Sequence, residues 1–108
     1  MTVELRNSDK LPEPQGFSHA SISSPGRIVH LAGQIGSDGD GELAEGIAAQ
    51  TDQALANLVL ALDAADATPD DLAKVTIYVV GWRESMQAEL FAGIVAAAQR
   101  TPLPQVPI

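Results

Sequence analysis

The alternation of polar and apolar positions near the start of the chain predicts a β-hairpin. Residues 17–23 and 27–35 are β-branched or alternating segments, and Pro25-Gly26 between them suits a tight turn. One face of this hairpin is small and apolar, as expected of a face covered by helices. It carries Ala20, Ile22, Val29, Leu31, Gly33 and Ile35. The opposite face carries Phe17, His19, Ser21, His30, Ala32 and Gln34.

Two longer segments have the three- and four-residue apolar spacing of amphipathic helices. This spacing predicts one helix over residues 44–65 and a second over residues 84–99. Between them, residues 68–71 (TPDD) combine a hydroxyl N-cap with proline at the first helical position, which predicts a short helical turn. Residues 74–80 (KVTIYVV) are largely apolar on both faces, which predicts an interior strand.

The two ends of the chain have less regular patterns. Residues 3–6 form a short possible strand, and the turn formers of residues 7–16 predict an irregular lead-in. The final stretch, RTPLPQVPI, contains prolines that fit neither a helix nor an interior strand. The order of hairpin, helix, strand, helix and extended tail predicts an α+β fold in a single domain, residues 1–108.

Composition narrows the function classes. The chain has 6 Lys and Arg against 14 Asp and Glu, a formal net charge of −8, without a basic cluster. Nucleic acids and anionic membranes are therefore not expected partners. The absence of Cys excludes disulfides, thiol nucleophiles and Cys-ligated zinc. Because no segment reaches the roughly 18 apolar residues of a membrane span and the N-terminus lacks a signal-peptide pattern, we expect a soluble, cytoplasmic protein.

Polar side chains on the predicted elements have structural and functional interpretations. His19 and His30 share a hairpin face, but two histidines without a third ligand make a weak metal site, and Gln34 is a poor ligand. A polar contact across an oligomer interface is the favoured interpretation, and we expect no metal and no cofactor. A polar stripe on the first helix is interpreted as a solvated shoulder or a helix-to-strand hydrogen bond. This stripe consists of Gln50, Gln53 and Asn57.

Three other features each have two interpretations. Residues 37–43 (SDGDGEL) resemble a calcium loop but lack the later bidentate acid, so a solvated turn is favoured. Arg100 either anchors a carboxylate or binds the last carbonyls of its helix, and the second interpretation is favoured. Trp82 either gates a pocket or, as is favoured, forms a hydrophobic plug after Gly81.

Four segments together resemble the reactive intermediate deaminase (Rid) family, also called the YjgF or L-PSP endoribonuclease family. They are GFSHA at residues 16–20, LAGQI at 31–35, the helix at 50–58 and KVTIYV at 74–79. The resemblance implies a chorismate-mutase-like fold, in which a mixed sheet carries two helices on one face. It also implies a homotrimer with a small-molecule pocket at each subunit interface.

The resemblance further implies an activity and a pocket. Active members hydrolyse enamines and imines to keto compounds and ammonia. In these members an Arg binds the substrate carboxylate in a bidentate manner, and a Glu positions water. The ligand pocket implied here consists of Phe17, His19, Ala32, Gly33 and Gln34. Gly33 either lets a ligand approach the backbone or admits a helix residue, and these two interpretations are given equal weight.

The sequence departs from the family pattern in three places. No Arg stands in residues 101–106, where the family has Pro-x-Arg, and Phe17 replaces the commoner Tyr. The sequence also ends at Ile108, before the last two strands of the family and their acidic residue, so we expect a truncated or incompletely recorded chain. No catalytic residue is therefore assigned.

Three function classes follow from these observations. The first is weak imine or enamine hydrolysis at an inter-subunit pocket. The second is a non-catalytic trimer that binds a small molecule or another protein. The third, RNA cleavage, is disfavoured because the net charge of −8 opposes RNA and no basic patch is present.

Overall fold

The computed structural model describes residues 3–108 and shows two α-helices with a small antiparallel sheet. This is the α+β class predicted from the sequence. The elements in chain order are strand β1 (Val3–Arg6), strand β2 (Ala20–Ser23), helix α1 (Ile47–Ala64), a 3₁₀ turn (Pro69–Asp71), a second 3₁₀ turn (Glu84–Met86) and helix α2 (Gln87–Arg100).

Helix α1 begins three residues later than its apolar spacing predicts, because of Gly46. Gly46 has a φ of 86°, a left-handed value that residues inside an α-helix do not adopt. Ahead of it, the N–H of Ala44 donates to the carbonyl of Gly36 at 2.8 Å, so this stretch belongs to the preceding loop. The helix ends at Ala64, and Asp66 follows with a φ of 57°.

The two helices pack closely at Gly93. A Cβ atom placed on Gly93 would lie 2.5 Å from the carbonyl oxygen of Ala48 and 2.6 Å from Cβ of Thr51. Only a residue without a side chain fits this approach. Near the end of the same interface, the guanidinium of Arg100 pairs with the carboxylate of Asp52 on α1.

The predicted hairpin is wrong in its pairing. Strand β2 pairs with β1, antiparallel and in the register Val3↔Ser23 to Arg6↔Ala20. Residues 27–35 form no strand in the part of the chain that the structure describes. The Pro25-Gly26 turn signal marks a local change of direction but does not specify which segment supplies the hydrogen bonds to β2.

The predicted apolar face of β2 is also wrong. Ser21 is half-buried, and its hydroxyl donates to the carbonyl of Ala73 at 2.6 Å. Ile22, on the alternate face, is 49 % exposed. Because side chains alternate along a strand, the hydrogen bond of Ser21 fixes β2 with its apolar residues outward.

Within residues 3–108, residues 74–80 form no strand, and the N–H of Val75 donates to the carbonyl of Pro107 at 3.0 Å. The prediction of an interior strand is therefore wrong. Its two-residue alternation is confirmed, since Val75 and Ile77 are half-buried whereas Tyr78 and Val80 are 92 % and 97 % exposed. Apolar residues on both faces do not ensure that both faces are covered.

The core lies where the two helices meet the extended tail. Its buried hydrophobic side chains are Leu62, Ala97 and Val106, and the tail residue Val106 is only 2 % exposed. The TPDD turn forms as predicted, with the N–H of Thr68 donating to Oδ2 of Asp71 at 2.9 Å. Within residues 3–108, neither α-helix is both long and apolar enough to cross a bilayer.

Candidate functional site

A concavity opens beside Phe17, one of the predicted site residues. It has a volume of about 290 Å³ and lies between the lead-in, the extended segment after α1, helix α2 and the end of the tail. Its lining residues are Gln15, Gly16, Phe17, Ile77, Leu90, Phe91, Ile94 and Ile108. We call it the Phe17 cavity. Apart from Gln15 its walls are apolar, so it suits an apolar molecule or the apolar part of a larger one.

A second cavity of about 160 Å³ continues from the first between the two helices. The two cavities share Gly16, Ile77, Phe91, Ile94 and Ile108. The second one extends past Leu55 and Leu58 of α1 to the tail at Val106. The Phe17 cavity is therefore the outer part of a longer apolar cleft.

Phe17 and His19, both predicted site residues, lie together. Their ring centroids are 6.2 Å apart with an interplanar angle of 70°, an edge-to-face arrangement. The His19 ring also contacts the lead-in, because the N–H of Ser8 donates to Nδ1 at 3.0 Å and the carbonyl of Pro12 lies 3.1 Å from Nε2. Phe17 lines the cavity, whereas His19 is not among its lining residues.

The other predicted site residues, Ala32, Gly33 and Gln34, form a separate exposed group. The amide of Gln34 donates to the carbonyl of Ala32 at 3.1 Å, and the space beside Gly33 is open. None of the three lines either cavity. That a single ligand contacts both the Phe17–His19 pair and the Ala32 group remains a prediction.

The glycine that admits a helix residue is Gly36. A Cβ atom on Gly36 would lie 2.5 Å from Cα of Gln50 on α1. Gly36 is also buried, unlike Gly33. The sequence carries no local signal for this contact, because Gly36 and Gln50 are brought together only by the packing of the loop on α1.

The polar stripe of α1 binds the segment that follows Gln34, which confirms a structural hydrogen-bonding role. The amide of Asn57 donates to the carbonyls of Ile35 at 2.9 Å and Ser37 at 2.7 Å. Gln53 donates to Oδ1 of Asn57 at 3.0 Å, and Gln50 donates to the carbonyl of Ala44 at 3.0 Å. The helix thus fixes the loop next to the Ala32 group.

Arg100 and Trp82 do not occupy their favoured predicted positions. The guanidinium of Arg100 binds the carboxylate and the backbone carbonyl of Asp52, the latter at 3.1 Å, and not the last carbonyls of its own helix. Trp82 is 46 % exposed, so it is not a hydrophobic plug. The difference at Arg100 arises from non-local packing, since its partner Asp52 lies on the other helix.

The remaining candidates have simple surroundings. Oδ1 of Asp38 accepts the N–H groups of Asp40 at 2.9 Å and Glu42 at 3.0 Å, so the loop forms the turn that its sequence favours. His30 is exposed and its ring has no hydrogen-bond partner among residues 3–108. Across that same range, no group of three or more His, Cys, Asp or Glu side chains is placed to hold a metal ion.

The fold agrees with comparisons to known proteins. A family model described as Endoribonuclease L-PSP matches residues 9–105. A crystal structure of a protein of unknown function from the conserved Rid family, YyfB from Yersinia pestis, is 34 % identical. The match covers 99 % of this chain and 83 % of that one, with a TM-score of 0.80. A search of curated proteins finds no similar sequence.

These matches define first an α+β protein with the architecture of the Yersinia structure. Since the family model covers most of the chain, the protein belongs to the Rid family, whose model carries the L-PSP endoribonuclease description.

Proposed function

We propose that this Rid-family protein binds a small, largely apolar molecule at Phe17. Binding would not depend on an arginine that pairs with a carboxylate of the ligand. The observation that carries the proposal is the Phe17 cavity, whose volume of about 290 Å³ approaches that of ordinary small-molecule pockets. Phe17 and Phe91 both line the cavity and give it two aromatic walls. Such walls favour a planar, uncharged ligand.

The charges near the cavity support an uncharged ligand. Arg100 is the cation closest in sequence to the tail, and its guanidinium is bound to Asp52. Residues 101–108 carry no charged side chain. The cation next to the tail is therefore already paired with a carboxylate, and the net charge of −8 opposes the approach of anions.

Imine or enamine hydrolysis is the second candidate function, because the chain belongs to the Rid family. In that reaction water adds to the C=N carbon, and the C–N bond then breaks to release ammonia and a keto compound. We propose it for substrates without a carboxylate and expect little acceleration with imines derived from amino acids. RNA cleavage is not proposed, because the 6 basic residues are dispersed along an acidic chain.

The ligand proposal is tested by the fluorescence of N-phenyl-1-naphthylamine, an uncharged aromatic probe. We expect saturable binding to the wild type and a loss of affinity of about tenfold or more in Ile94→Phe, which fills the cavity. Ala92→Phe is the matched control, because Ala92 is exposed on the same helix. Binding that is absent in the wild type, or unchanged in Ile94→Phe with intact circular dichroism, would refute the proposal.

Two further measurements separate the alternatives. The Ala32→Trp substitution lowers the affinity for the probe only if Ala32, Gly33 and Gln34 form part of the same site. A coupled dehydratase assay follows the decay of 2-aminoacrylate, and we expect less than about a tenfold change over buffer. Strong acceleration there would show that carboxylate binding does not depend on an arginine in the tail.

We also propose that the protein is a homotrimer. Several large apolar side chains outside the helices are strongly exposed, and a protomer of 11.2 kDa rarely leaves so many uncovered. They include Ile28 at 80 %, Ile35 at 67 %, Tyr78 at 92 % and Val80 at 97 %.

Light scattering at micromolar concentration should therefore give three times the protomer mass. Val80→Lys should shift the protein towards the protomer, because it places a charge in an apolar contact. Ala88→Lys, on the exposed start of α2, is the control and should leave the mass unchanged. A wild-type protomer at these concentrations would contradict the proposal.

A further inference from the structure

The lead-in between β1 and β2 is fastened by hydrogen bonds to one residue, His19. The N–H of Ser8 donates to Nδ1 at 3.0 Å, and Nε2 lies 3.1 Å from the carbonyl of Pro12. The backbone N–H of His19 also donates to Oδ1 of Asn7 at 2.9 Å. Residues 7–12 have no regular secondary structure, so these bonds are central to their position.

The two ring bonds specify the protonation state of His19. A backbone N–H can only donate, so Nδ1 must be the acceptor for Ser8. A backbone carbonyl can only accept, so Nε2 must carry a proton and donate it to Pro12. Only the neutral imidazole protonated on Nε2 makes both bonds. A doubly protonated ring would place its Nδ1–H against the N–H of Ser8, and one bond would become a repulsion between donors.

No carboxylate is hydrogen-bonded to the ring to compensate for this repulsion within residues 3–108. The charged side chains of the lead-in are Asp9, Lys10 and Glu13, and Arg6 at the end of β1 is paired with Glu4 at 2.6 Å. On its other side the ring meets Phe17, which is uncharged. The hydrogen bond from Ser8 is therefore the main local interaction that distinguishes the two charge states.

We propose that His19 is a pH-dependent latch, which holds residues 7–12 when neutral and releases them when protonated. Histidine side chains in general change their charge between about pH 5 and pH 8, so the two states are compared across that range. Because the His19 ring packs edge-to-face against Phe17, release would remove a contact that positions one lining residue of the Phe17 cavity. This coupling rests on the proposed ligand function, whereas the latch itself does not.

The latch is tested by amide hydrogen exchange of Ser8, measured by NMR at about pH 7.5 and about pH 5.0. Protection factors remove the intrinsic pH dependence of exchange. We expect the protection of Ser8 to fall by about fivefold to tenfold on acidification, as for the loss of one hydrogen bond. The amide of Ala97, a buried residue of helix α2, serves as the internal control and should keep its protection.

The chain contains 2 histidines, so matched variants are available. His30→Gln should retain the full response of Ser8, because His30 is exposed and its ring is unbonded within residues 3–108. His19→Gln should give a protection of Ser8 that no longer changes with pH. Ser8 protection that is independent of pH in the wild type, or that falls equally in His19→Gln, would overturn the latch.

The coupling has its own readout. The affinity of N-phenyl-1-naphthylamine should change at least about threefold between the same two pH values in the wild type and His30→Gln, but not in His19→Gln. An unchanged affinity alongside a fall in Ser8 protection would overturn the coupling. Absence of probe binding at both pH values would refute the proposed ligand function, while the Ser8 result would still decide the latch.

Discussion

Replacing Gly93 with valine will destabilise the protein by about 3 kcal/mol, enough to unfold a marginal domain of this size. Even the first carbon of a side chain would lie 2.5 Å from the carbonyl oxygen of Ala48. That oxygen belongs to the backbone of α1 and cannot rotate away. The helices must therefore separate, and the core contacts along their interface weaken. Urea unfolding followed by circular dichroism measures the loss.

Ala92→Val is the matched control for this prediction. Ala92 precedes Gly93 on the same helix but is exposed, so valine there meets no neighbour. Its cost should be limited to the lower helix propensity of valine, below about 1 kcal/mol. Equal losses in the two variants would mean that the helices do not approach closely at Gly93.

Asn57→Asp will cost about 2–3 kcal/mol at neutral pH, although it changes few atoms. The Asn57 amide donates to the carbonyl oxygens of Ile35 and Ser37. A carboxylate cannot donate, so it would place a negative charge against both oxygens. A protonated carboxyl can donate one of the two bonds, and the loss relative to wild type should therefore shrink as the pH is lowered towards about 4.

Asn7→Asp is the control for this prediction. It introduces the same negative charge, but at a side chain that accepts a hydrogen bond and does not donate one. Oδ1 of Asn7 accepts the N–H of His19, and a carboxylate accepts it equally well. We expect its stability to stay within about 0.5 kcal/mol of wild type. Thermal unfolding at several pH values compares the two variants. Equal destabilisation would indicate that added charge, and not the loss of donors, determines the effect.

The helical half of the fold follows closely from the sequence. Apolar spacing predicted α1 and α2 because each helix satisfies its own backbone and needs only one apolar stripe. The TPDD turn was also predicted, since its hydrogen bond joins Thr68 to Asp71, three residues away. Gly46 displaced the start of α1 because spacing does not report φ.

The strands were harder to predict because their hydrogen bonds join distant segments. The turn at Pro25-Gly26 was visible, but the pairing of β2 with β1 depends on a lead-in fastened by His19 and Asn7. Ser21 reverses the faces of β2 through a bond to Ala73, 52 residues away. No local pattern contains that information.

The candidate site was predictable only in part. The family segment around Phe17 identified one wall of the cavity, and the edge-to-face contact with His19 connects two predicted residues. The opposite wall comes from α2, where Phe91 and Ile94 had the ordinary appearance of a core stripe. Likewise, the pairing of Asp52 with Arg100 could not be predicted, because no local pattern relates positions on separate helices.

The apolar cleft is built from segments that are far apart in the sequence. Gly16, Val75, Phe91 and Val106 all line it, although they are widely separated in sequence. Forming the cleft requires several long loops to close, which slows folding relative to the formation of local helices. We therefore expect α1 and α2 to associate early in folding, and the lead-in and the tail to pack against them late. Mutations at Val106 should chiefly accelerate unfolding, whereas mutations at Gly93 should slow folding.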